Sequence, residues 1–278
     1  MRHPLPGATF LVTGGGSGIG RLLSLRAADE GAHVVIWDLS ASAGESVRDE
    51  IRARGGHADS YAIDVTDREA VKTAAEVVGP VDILVNNAGV VTGKRLLDAT
   101  EEEIERTFDV NVMALYWTTR AFLGGMIERR HGAVMTVSSA AGLVGVAKQT
   151  DYSASKFAAF GFAESLRAEL AKDATGVDSL VACPFYIDTG MFAGVRTKVP
   201  RLLPILDQDY AAGRILTAIV EGRQQLVMPR MVGVIPAARL LPVKLFDRVM
   251  NLFGVNDTMD AFTGRGRDLP DTTGPAVR

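Results

Sequence analysis

A tyrosine and a lysine four positions apart, Tyr152 and Lys156, stand in the short stretch DYSASKF. On a helix, side chains at this spacing share one face, so the phenol and the ammonium group would be neighbours. A free tyrosine has a pKa of about 10, and a cation within about 4–6 Å can lower it by roughly 1–3. The pair could therefore supply the acid and base that alcohol oxidation and carbonyl reduction need. The alternative is an ordinary surface pair on an amphipathic helix.

A second chemical feature is the glycine-rich loop TGGGSGIG, between an apolar run and a helical pattern. Glycine lets the backbone turn tightly and approach a pyrophosphate closely, and the following helix start offers free N–H groups. The loop departs from G-x-G-x-x-G, because Ile19 stands where the last glycine would be. It fits T-G-x-x-x-G-x-G, with Gly14, Gly18 and Gly20. It predicts a dinucleotide site; the alternative is a turn that binds no ligand.

Asp38 ends the next apolar run, 18 residues after Gly20. In dinucleotide-binding folds an acid at this place accepts hydrogen bonds from the adenosine ribose. The same carboxylate would repel a 2′-phosphate, and neither Ser17 nor Leu39 brings a cation to neutralise one. We therefore expect NAD rather than NADP. The alternative is a simple turn or helix-start aspartate.

The order of the elements that must hold these residues indicates a doubly wound α/β fold. Strand-like apolar runs alternate with helical patterns from ATFLVT to DSLVACP, and no linker interrupts them. Continuous apolar strands are typical of a parallel sheet with helices on both faces. We expect a Rossmann-type domain over residues 1–228, an apolar, basic C-terminal extension over 229–267 and a mobile tail over 268–278.

The composition of the chain limits its class. The 278 residues carry a formal net charge of −3, which gives no general reason to bind nucleic acid. The single cysteine, Cys183, excludes an intramolecular disulfide and favours a reducing cytosol. No apolar stretch reaches the roughly 18 residues of a membrane span, and the N-terminus does not read as a signal peptide. The four histidines lie in no metal-like spacing. We expect a cytoplasmic protein without a metal site.

Six motifs in order resemble the short-chain dehydrogenase/reductase family over about the first 190 residues. They are the glycine loop, Asp64-Val65, NNAG from Asn86 to Gly89, Asn111 in FDVNV, Ser139 in VSSAAG, and YSASK. The resemblance implies that Tyr152 is the acid and base, and that Ser139 holds the substrate oxygen. It also implies that Lys156 binds the nicotinamide ribose. Asn111 would then hold a water that links this lysine to solvent as a proton relay.

The resemblance also implies a set of cofactor contacts. They are Gly14, Ser17, Gly18, Ile19, Gly20, Asp38, Leu39, Asp64, Val65, Asn87, Ala88, Gly89, Tyr152, Lys156, Pro184, Ile187 and Thr189. One departure from the family pattern stands after the sixth strand, where Phe185 replaces the glycine of the usual Pro-Gly pair. This ring would change the wall of the site near the reacting carbon.

A looser likeness over about residues 181–265 points to the branch with retinol dehydrogenases and membrane- or lipid-droplet-associated hydroxysteroid dehydrogenases. The loop after Thr189 predicts an apolar lid, formed by Met191, Phe192, Val195, Leu202, Leu203 and Ile205. Such a lid favours a lipophilic alcohol, for example a retinoid, a steroid or a long-chain alcohol. The alternatives are a small polar alcohol or ketone, or a non-catalytic NAD-binding regulatory protein.

Two surfaces suggest partners. Residues 223–255 carry five basic residues against one acid, within apolar sequence, so they could lie on a membrane, cover the cleft or pack on a neighbouring subunit. The helical patterns over about 101–129 and 152–173 carry apolar residues beyond one stripe, namely Val112, Leu115, Phe157 and Phe160. In the resembled family these two helices build the main interface. We therefore expect a homodimer or homotetramer.

Overall fold

The computed structural model describes residues 3–264, and the predicted mobile tail over 268–278 lies outside this range. Seven parallel strands form one sheet in the order β3-β2-β1-β4-β5-β6-β7. The strands are β1 Thr9–Thr13, β2 His33–Asp38, β3 His57–Ala62, β4 Ile83–Asn86, β5 Gly132–Val137, β6 Val177–Pro184 and β7 Gln225–Met228. The helices are α1 Gly18–Asp29, α2 Ala41–Ala53, α3 Arg68–Val78, α4 Glu101–Phe108, α5 Ala114–Arg129, α6 Thr150–Lys172, α7 Gln208–Glu221, α8 Ile235–Ala238 and α9 Val243–Leu252.

Helices cover both faces of the sheet, as the continuous apolar strands predicted. Successive side chains of a strand point to opposite faces. In β1, Phe10 and Val12 therefore pack into one buried cluster with α1 and α7, while Leu11 packs into another with α3 and α5. All three side chains are fully buried. The doubly wound fold predicted from the sequence is confirmed.

The strand order reverses between β1 and β4, which run side by side. In open α/β sheets, ligands bind at such a switch point, outside the carboxyl ends of the strands. Asn87, directly after β4, joins the two strand ends, because its Nδ2 donates to the carbonyl oxygens of Thr13 at 3.0 Å and Gly14 at 3.2 Å. The topology thus places the glycine loop, the NNAG segment and the ends of β5 and β6 around one edge.

Beyond β7, short helices pack back over this edge. A 3-10 turn at Arg230–Val234 leads into α8, and a second one at Val255–Asp257 follows α9. Met250 and Val255 form a buried cluster with Val144, which lies shortly before α6. Across residues 3–264, no helix is both long and apolar enough to cross a membrane.

The apolar residues that suggested a subunit interface are largely accounted for within one protomer. Val112 and Leu115 are buried. Phe160 packs against a buried cluster, and the guanidinium group of Arg239 lies 5.1 Å from the ring centroid of Phe157. These four side chains therefore do not require a partner, and the homo-oligomer stays a prediction.

Candidate active site

A cleft opens at the carboxyl edge of the sheet. The predicted site residues that line it are Gly14, Ser17, Gly18, Ile19, Asn87, Ala88, Gly89, Ser139, Tyr152, Lys156, Pro184, Ile187 and Thr189. The structure therefore brings together the glycine loop, the tyrosine–lysine pair and the end of β6. The predicted residues outside the lining are Gly20, Asp38, Leu39, Asp64, Val65 and Asn111.

Tyr152 and Ser139 form the polar centre of this cleft. Ser139 follows β5 and begins a 3-10 turn, in which its Oγ accepts a hydrogen bond from the N–H of Ala141 at 3.1 Å. Tyr152 lies in the first turn of α6, is only 5% exposed and hydrogen-bonds to Ser139. A substrate oxygen that replaced this mutual contact would meet both hydroxyl groups.

The pKa of Tyr152 differs from the expectation based on Lys156. Burial raises the pKa of Tyr152 above its usual value of 10.0, and the hydrogen bond with Ser139 opposes the rise. The nearby phenol of Tyr186 raises it further. The predicted lowering of the Tyr152 pKa by Lys156 was wrong for the protein without cofactor. Removal of the phenolate from water outweighs the contacts that favour it. In this state Tyr152 is a proton donor.

Lys156 lies one helical turn further along α6 and is also buried. Its Nζ donates to the carbonyl oxygen of Val137 at 3.0 Å and lies 5.6 Å from the centroid of the Tyr152 ring. Burial lowers the pKa of Lys156 from 10.5 to about 8. The lysine is therefore the group of this pair that loses a proton first as the pH rises.

Asn111 lies behind the cleft, in a π-helical turn at Asp109–Met113 between α4 and α5. Such turns are rare and often mark functional sites. Its Oδ1 accepts from the N–H of Val90 at 2.8 Å, and its Nδ2 donates to the carbonyl oxygen of Val90 at 2.9 Å and to Ser155 Oγ at 3.0 Å. A Cβ atom on Gly89 would lie 3.3 Å from Asn111 Oδ1 and 3.5 Å from Lys156 Nζ. Asn111 therefore holds the strand end beside the lysine, and the relay water stays a prediction.

The glycine loop has the shape that a pyrophosphate requires. Gly14 and Gly18 have φ angles of 65° and 52°, which favour glycine. A Cβ atom on Gly20 would lie 2.1 Å from the carbonyl oxygen of Gly14, so the turn closes only with glycine there. The loop leads directly into the N-terminus of α1, where free N–H groups and the helix dipole favour an anion. These residues fit the phosphates of a dinucleotide.

Asp38 stands beside this loop, at the end of β2. Its Oδ2 accepts from the N–H of Gly16 at 2.8 Å, and its Oδ1 accepts from the N–H of Ser40 at 2.9 Å. A carboxylate offers about four acceptor positions, so capacity remains for ribose hydroxyls. The neighbouring Leu39 is exposed. Further along the same edge, Oδ1 of the exposed Asp64 accepts from the N–H and hydroxyl of Thr66.

The wall opposite the glycine loop is apolar and aromatic, but the predicted lid is only partly right. Met191, Phe192 and Leu203 line the cleft, as does Phe185. Val195 is instead buried in a cluster with Tyr186, while Leu202 and Ile205 are 43% and 41% exposed. The loop forms short turns, so only some of its apolar side chains can face the cleft.

Aromatic rings reach Tyr152 directly. Phe192 meets Tyr152 edge-on at 5.8 Å between ring centroids and meets Tyr186 at 5.0 Å. Phe185 also contacts Tyr186, at 4.7 Å. Aromatic surface therefore adjoins Tyr152 in the cleft.

Several lining residues were missed by the sequence reasoning. They are Val137, Ser138, Ala140, Ala141, Val144, Val146, Gln149, Tyr186, Val232, Ile235 and Val255, whereas Phe185 lines the cleft as predicted. The last three come from the C-terminal region, so that part of the chain does cover the cleft. Among these residues only Gln149 offered a sequence signal, namely a polar side chain three residues before Tyr152.

Comparison with known proteins agrees with this architecture. Residues 8–200 match the family model described as short chain dehydrogenase. Epidermal retinol dehydrogenase 2 of Mus musculus is 43% identical over 271 residues, which cover 95% of this chain and 88% of the relative.

Two solved structures share the fold. A short-chain dehydrogenase/reductase from Burkholderia phymatum in complex with NAD has a TM-score of 0.78 at 24% identity, covering 87% of this chain and 96% of that one. A metagenomic short-chain oxidoreductase in complex with NADP has a TM-score of 0.69 at 28% identity, covering 81% of this chain and 98% of that one. With the glycine cradle, the buried tyrosine–lysine pair and these matches, the chain belongs to the short-chain dehydrogenase family and is an oxidoreductase that uses NAD(P).

Proposed function

We propose that the protein interconverts a lipophilic alcohol and its carbonyl compound with NAD. The observation that carries this proposal is the apolar, aromatic wall that surrounds the Tyr152–Ser139 pair. Burial of apolar surface contributes about 25 cal/mol per Å², so such a wall favours a bulky apolar substrate over a sugar or a small hydroxy acid. The name of the mouse relative, a retinol dehydrogenase, supports the same substrate class.

In this proposal each polar side chain of the cleft has a distinct role. Ser139 donates a hydrogen bond to the substrate oxygen and fixes its position. Tyr152 takes the hydroxyl proton during oxidation and returns it during reduction. Lys156 exchanges a proton with Tyr152 and binds the nicotinamide ribose, and Asn111 holds the water that connects the lysine to solvent. When bound, the nicotinamide supplies the acceptor for hydride from the alcohol carbon.

The preference for NAD over NADP is expected to depend on the charge of Asp38. We expect wild-type protein to bind NAD at least about tenfold more tightly, because a 2′-phosphate would lie against this carboxylate. Asp38→Asn keeps the shape of the side chain and removes the charge, so NADP affinity should rise and the ratio should shrink. Fluorescence titration of both nucleotides measures the two dissociation constants.

A matched control separates this local effect from a general loss of negative charge. Asp67 is an exposed helix cap that accepts hydrogen bonds from the N–H groups of Glu69 and Ala70. Asp67→Asn should leave the NAD to NADP ratio unchanged. Equal affinities of wild-type protein for the two nucleotides would show that Asp38 does not contact the adenosine ribose.

The substrate class is tested by a turnover screen with NAD. We expect kcat/KM to be highest for retinoids, steroids or long-chain alcohols and at least about tenfold lower for short polar alcohols, because only the former bury the aromatic wall. Phe192→Ala removes the ring beside Tyr152 and should lower kcat/KM for the lipophilic compounds more than for the short ones. A clear preference of wild-type protein for small polar alcohols would contradict the proposal.

We also propose peripheral contact between the C-terminal region and membranes, within an otherwise cytoplasmic homodimer or homotetramer. Leu240, Val243 and Leu252 are exposed, and Lys244 and Arg248 stand exposed beside them. Apolar side chains flanked by cations suit an anionic lipid surface. Sedimentation with anionic liposomes should be lost in the double variant Leu240→Ser, Leu252→Ser.

Light scattering tests the predicted homodimer or homotetramer, and a monomer at micromolar concentration would contradict that prediction.

A further inference from the structure

Gln149 is a buried polar side chain in the wall of the cleft. It is 1% exposed and stands directly before α6, three residues ahead of Tyr152. Its Nε2 donates to the hydroxyl of Tyr186 at 3.3 Å and contacts Met259 Sδ at 3.0 Å. Its Oε1 has no hydrogen-bond partner among residues 3–264. The proposed catalytic roles do not use this amide.

The direction of the hydrogen bonds around Tyr186 fixes the orientation of the amide. Thr258 Oγ1 donates its one proton to the carbonyl oxygen of Val255 at 2.8 Å. It must therefore accept from the hydroxyl of Tyr186, which lies 2.9 Å away. The phenol has only one proton, so its oxygen is left to accept from the side chain of Gln149. Only the NH₂ group can donate there, and the carbonyl oxygen is turned to the other side.

The unpaired Oε1 matters because buried acceptors are almost always satisfied in native proteins. A wholly apolar substrate that closed the cleft would leave this oxygen without a donor. A substrate with a suitably placed donor would extend the series of hydrogen bonds that runs from Val255 through Thr258, Tyr186 and Gln149. Discrimination of this kind is strong, because a site built to bond a hydroxyl rejects the analogue that lacks it.

We propose that Gln149 Oε1 accepts a hydrogen bond from a second donor group of the substrate, in addition to the reacting hydroxyl. This inference rests on the proposed function, because it concerns the alcohol bound in the same cleft. Gln149 stands directly before α6 and lines the same cleft as Tyr152, so the second donor belongs to the same substrate molecule as the reacting hydroxyl. Among the lipophilic alcohols of the proposed function, those that carry a nearby second hydroxyl are therefore expected to be the better substrates.

Four compounds test the lipophilic substrate class and the role of Gln149 separately. They are a long-chain secondary alcohol, the same alcohol with a second hydroxyl two carbons away, and the short-chain versions of both. With NAD, the second hydroxyl should raise kcat/KM at least about tenfold in the long-chain pair. Equilibrium dialysis of each compound with the cofactor-loaded protein gives the ratio of the two affinities without turnover. The effect of chain length reports the proposed function, whereas the effect of the second hydroxyl reports Gln149.

Two kinds of variant locate the effect. Gln149→Met keeps the length of the side chain without the carbonyl oxygen, so the diol preference should fall to about one. In Thr258→Val, the Tyr186 proton loses its acceptor, and a flip of the Gln149 amide is expected to turn Oε1 toward that proton, which removes the free acceptor although Gln149 is intact. Thr258→Ser keeps the hydroxyl and should keep the preference. Melting temperatures check that all three variants fold.

The outcomes are distinct. Equal kcat/KM and equal affinity of the two members of each pair in wild-type protein would overturn the inference and assign the missing donor to a water molecule. A diol preference that survives in Gln149→Met would overturn it as well. A Gln149-dependent preference that appears only on the short chain would support the inference and contradict the lipophilic assignment.

Discussion

Replacement of Tyr152 with Phe is expected to lower kcat for alcohol oxidation by about 10²–10⁴-fold, the range that general acid–base catalysis contributes. The phenyl ring keeps its buried place and its edge-on contact with Phe192, so only the hydroxyl is lost. Ser139 would still hold the substrate oxygen, but no group in contact with it could take the proton. Absorbance of the reduced cofactor follows the reaction.

The tyrosine variant needs two controls. Binding of NAD, followed by fluorescence, should stay within a few-fold of wild type, because the glycine loop and Asp38 are untouched. Tyr210 is 53% exposed on α7, so Tyr210→Phe makes the same chemical change away from the cleft and should leave turnover intact. Turnover of Tyr152→Phe near the parent rate would show that the acid and base have been assigned to the wrong residue.

The fold was accessible from the sequence because it depends on local pattern, whereas most of the site residues came from the resemblance to the short-chain dehydrogenase/reductase family. Continuous apolar strands fixed the parallel sheet, and the switch point then brought the loop at Gly14–Gly20 and the segment at Asn86–Gly89 together. The Tyr152–Lys156 spacing placed both side chains on one helix face. These conclusions need only the periods of helix and strand and the position of a ligand site in a doubly wound sheet.

The electrostatics of the site could not be predicted in this way. The sequence shows that Lys156 is near Tyr152, but it does not show how deeply both are buried. Phe192, which packs edge-on against Tyr152, and Tyr186, whose phenol also raises the pKa of Tyr152, come from a segment beyond β6. The resulting desolvation raises the pKa of the phenol, where the lysine alone would have lowered it.

Contacts between distant segments account for the remaining differences. The series of hydrogen bonds from Gln149 through Tyr186 to Thr258 spans 109 residues, and no local sequence pattern predicts it. Likewise, the apolar character of Leu202 and Ile205 did not reveal that the loop turns them toward solvent. An irregular loop has no helix or strand periodicity, so its sequence does not predict which of its apolar side chains are buried.

The pH dependence of oxidation is expected to follow the first proton lost by the Tyr152–Lys156 pair. Oxidation needs the pair with one proton removed, whether the free enzyme carries the remaining one on the phenol or on the amine. Burial lowers the pKa of Lys156 to about 8 and raises that of Tyr152, so this first loss occurs near pH 8. The kcat/KM for oxidation should therefore rise about tenfold from pH 7 to a plateau above pH 9. Carbonyl reduction needs the fully protonated pair and should decline over the same range.

Lys156→Arg tests whether the lysine sets this inflection. Arginine keeps the positive charge at every accessible pH, so the first proton must then come from Tyr152, whose pKa burial has raised. Oxidation by the variant should be at least about tenfold slower at pH 8, and its kcat/KM should still be rising at pH 10. Lys172→Arg makes the same change at the exposed end of α6 and should keep the wild-type profile. If Lys156→Arg retains an inflection near pH 8, the titrating group is not Lys156, because no proton can leave the arginine there.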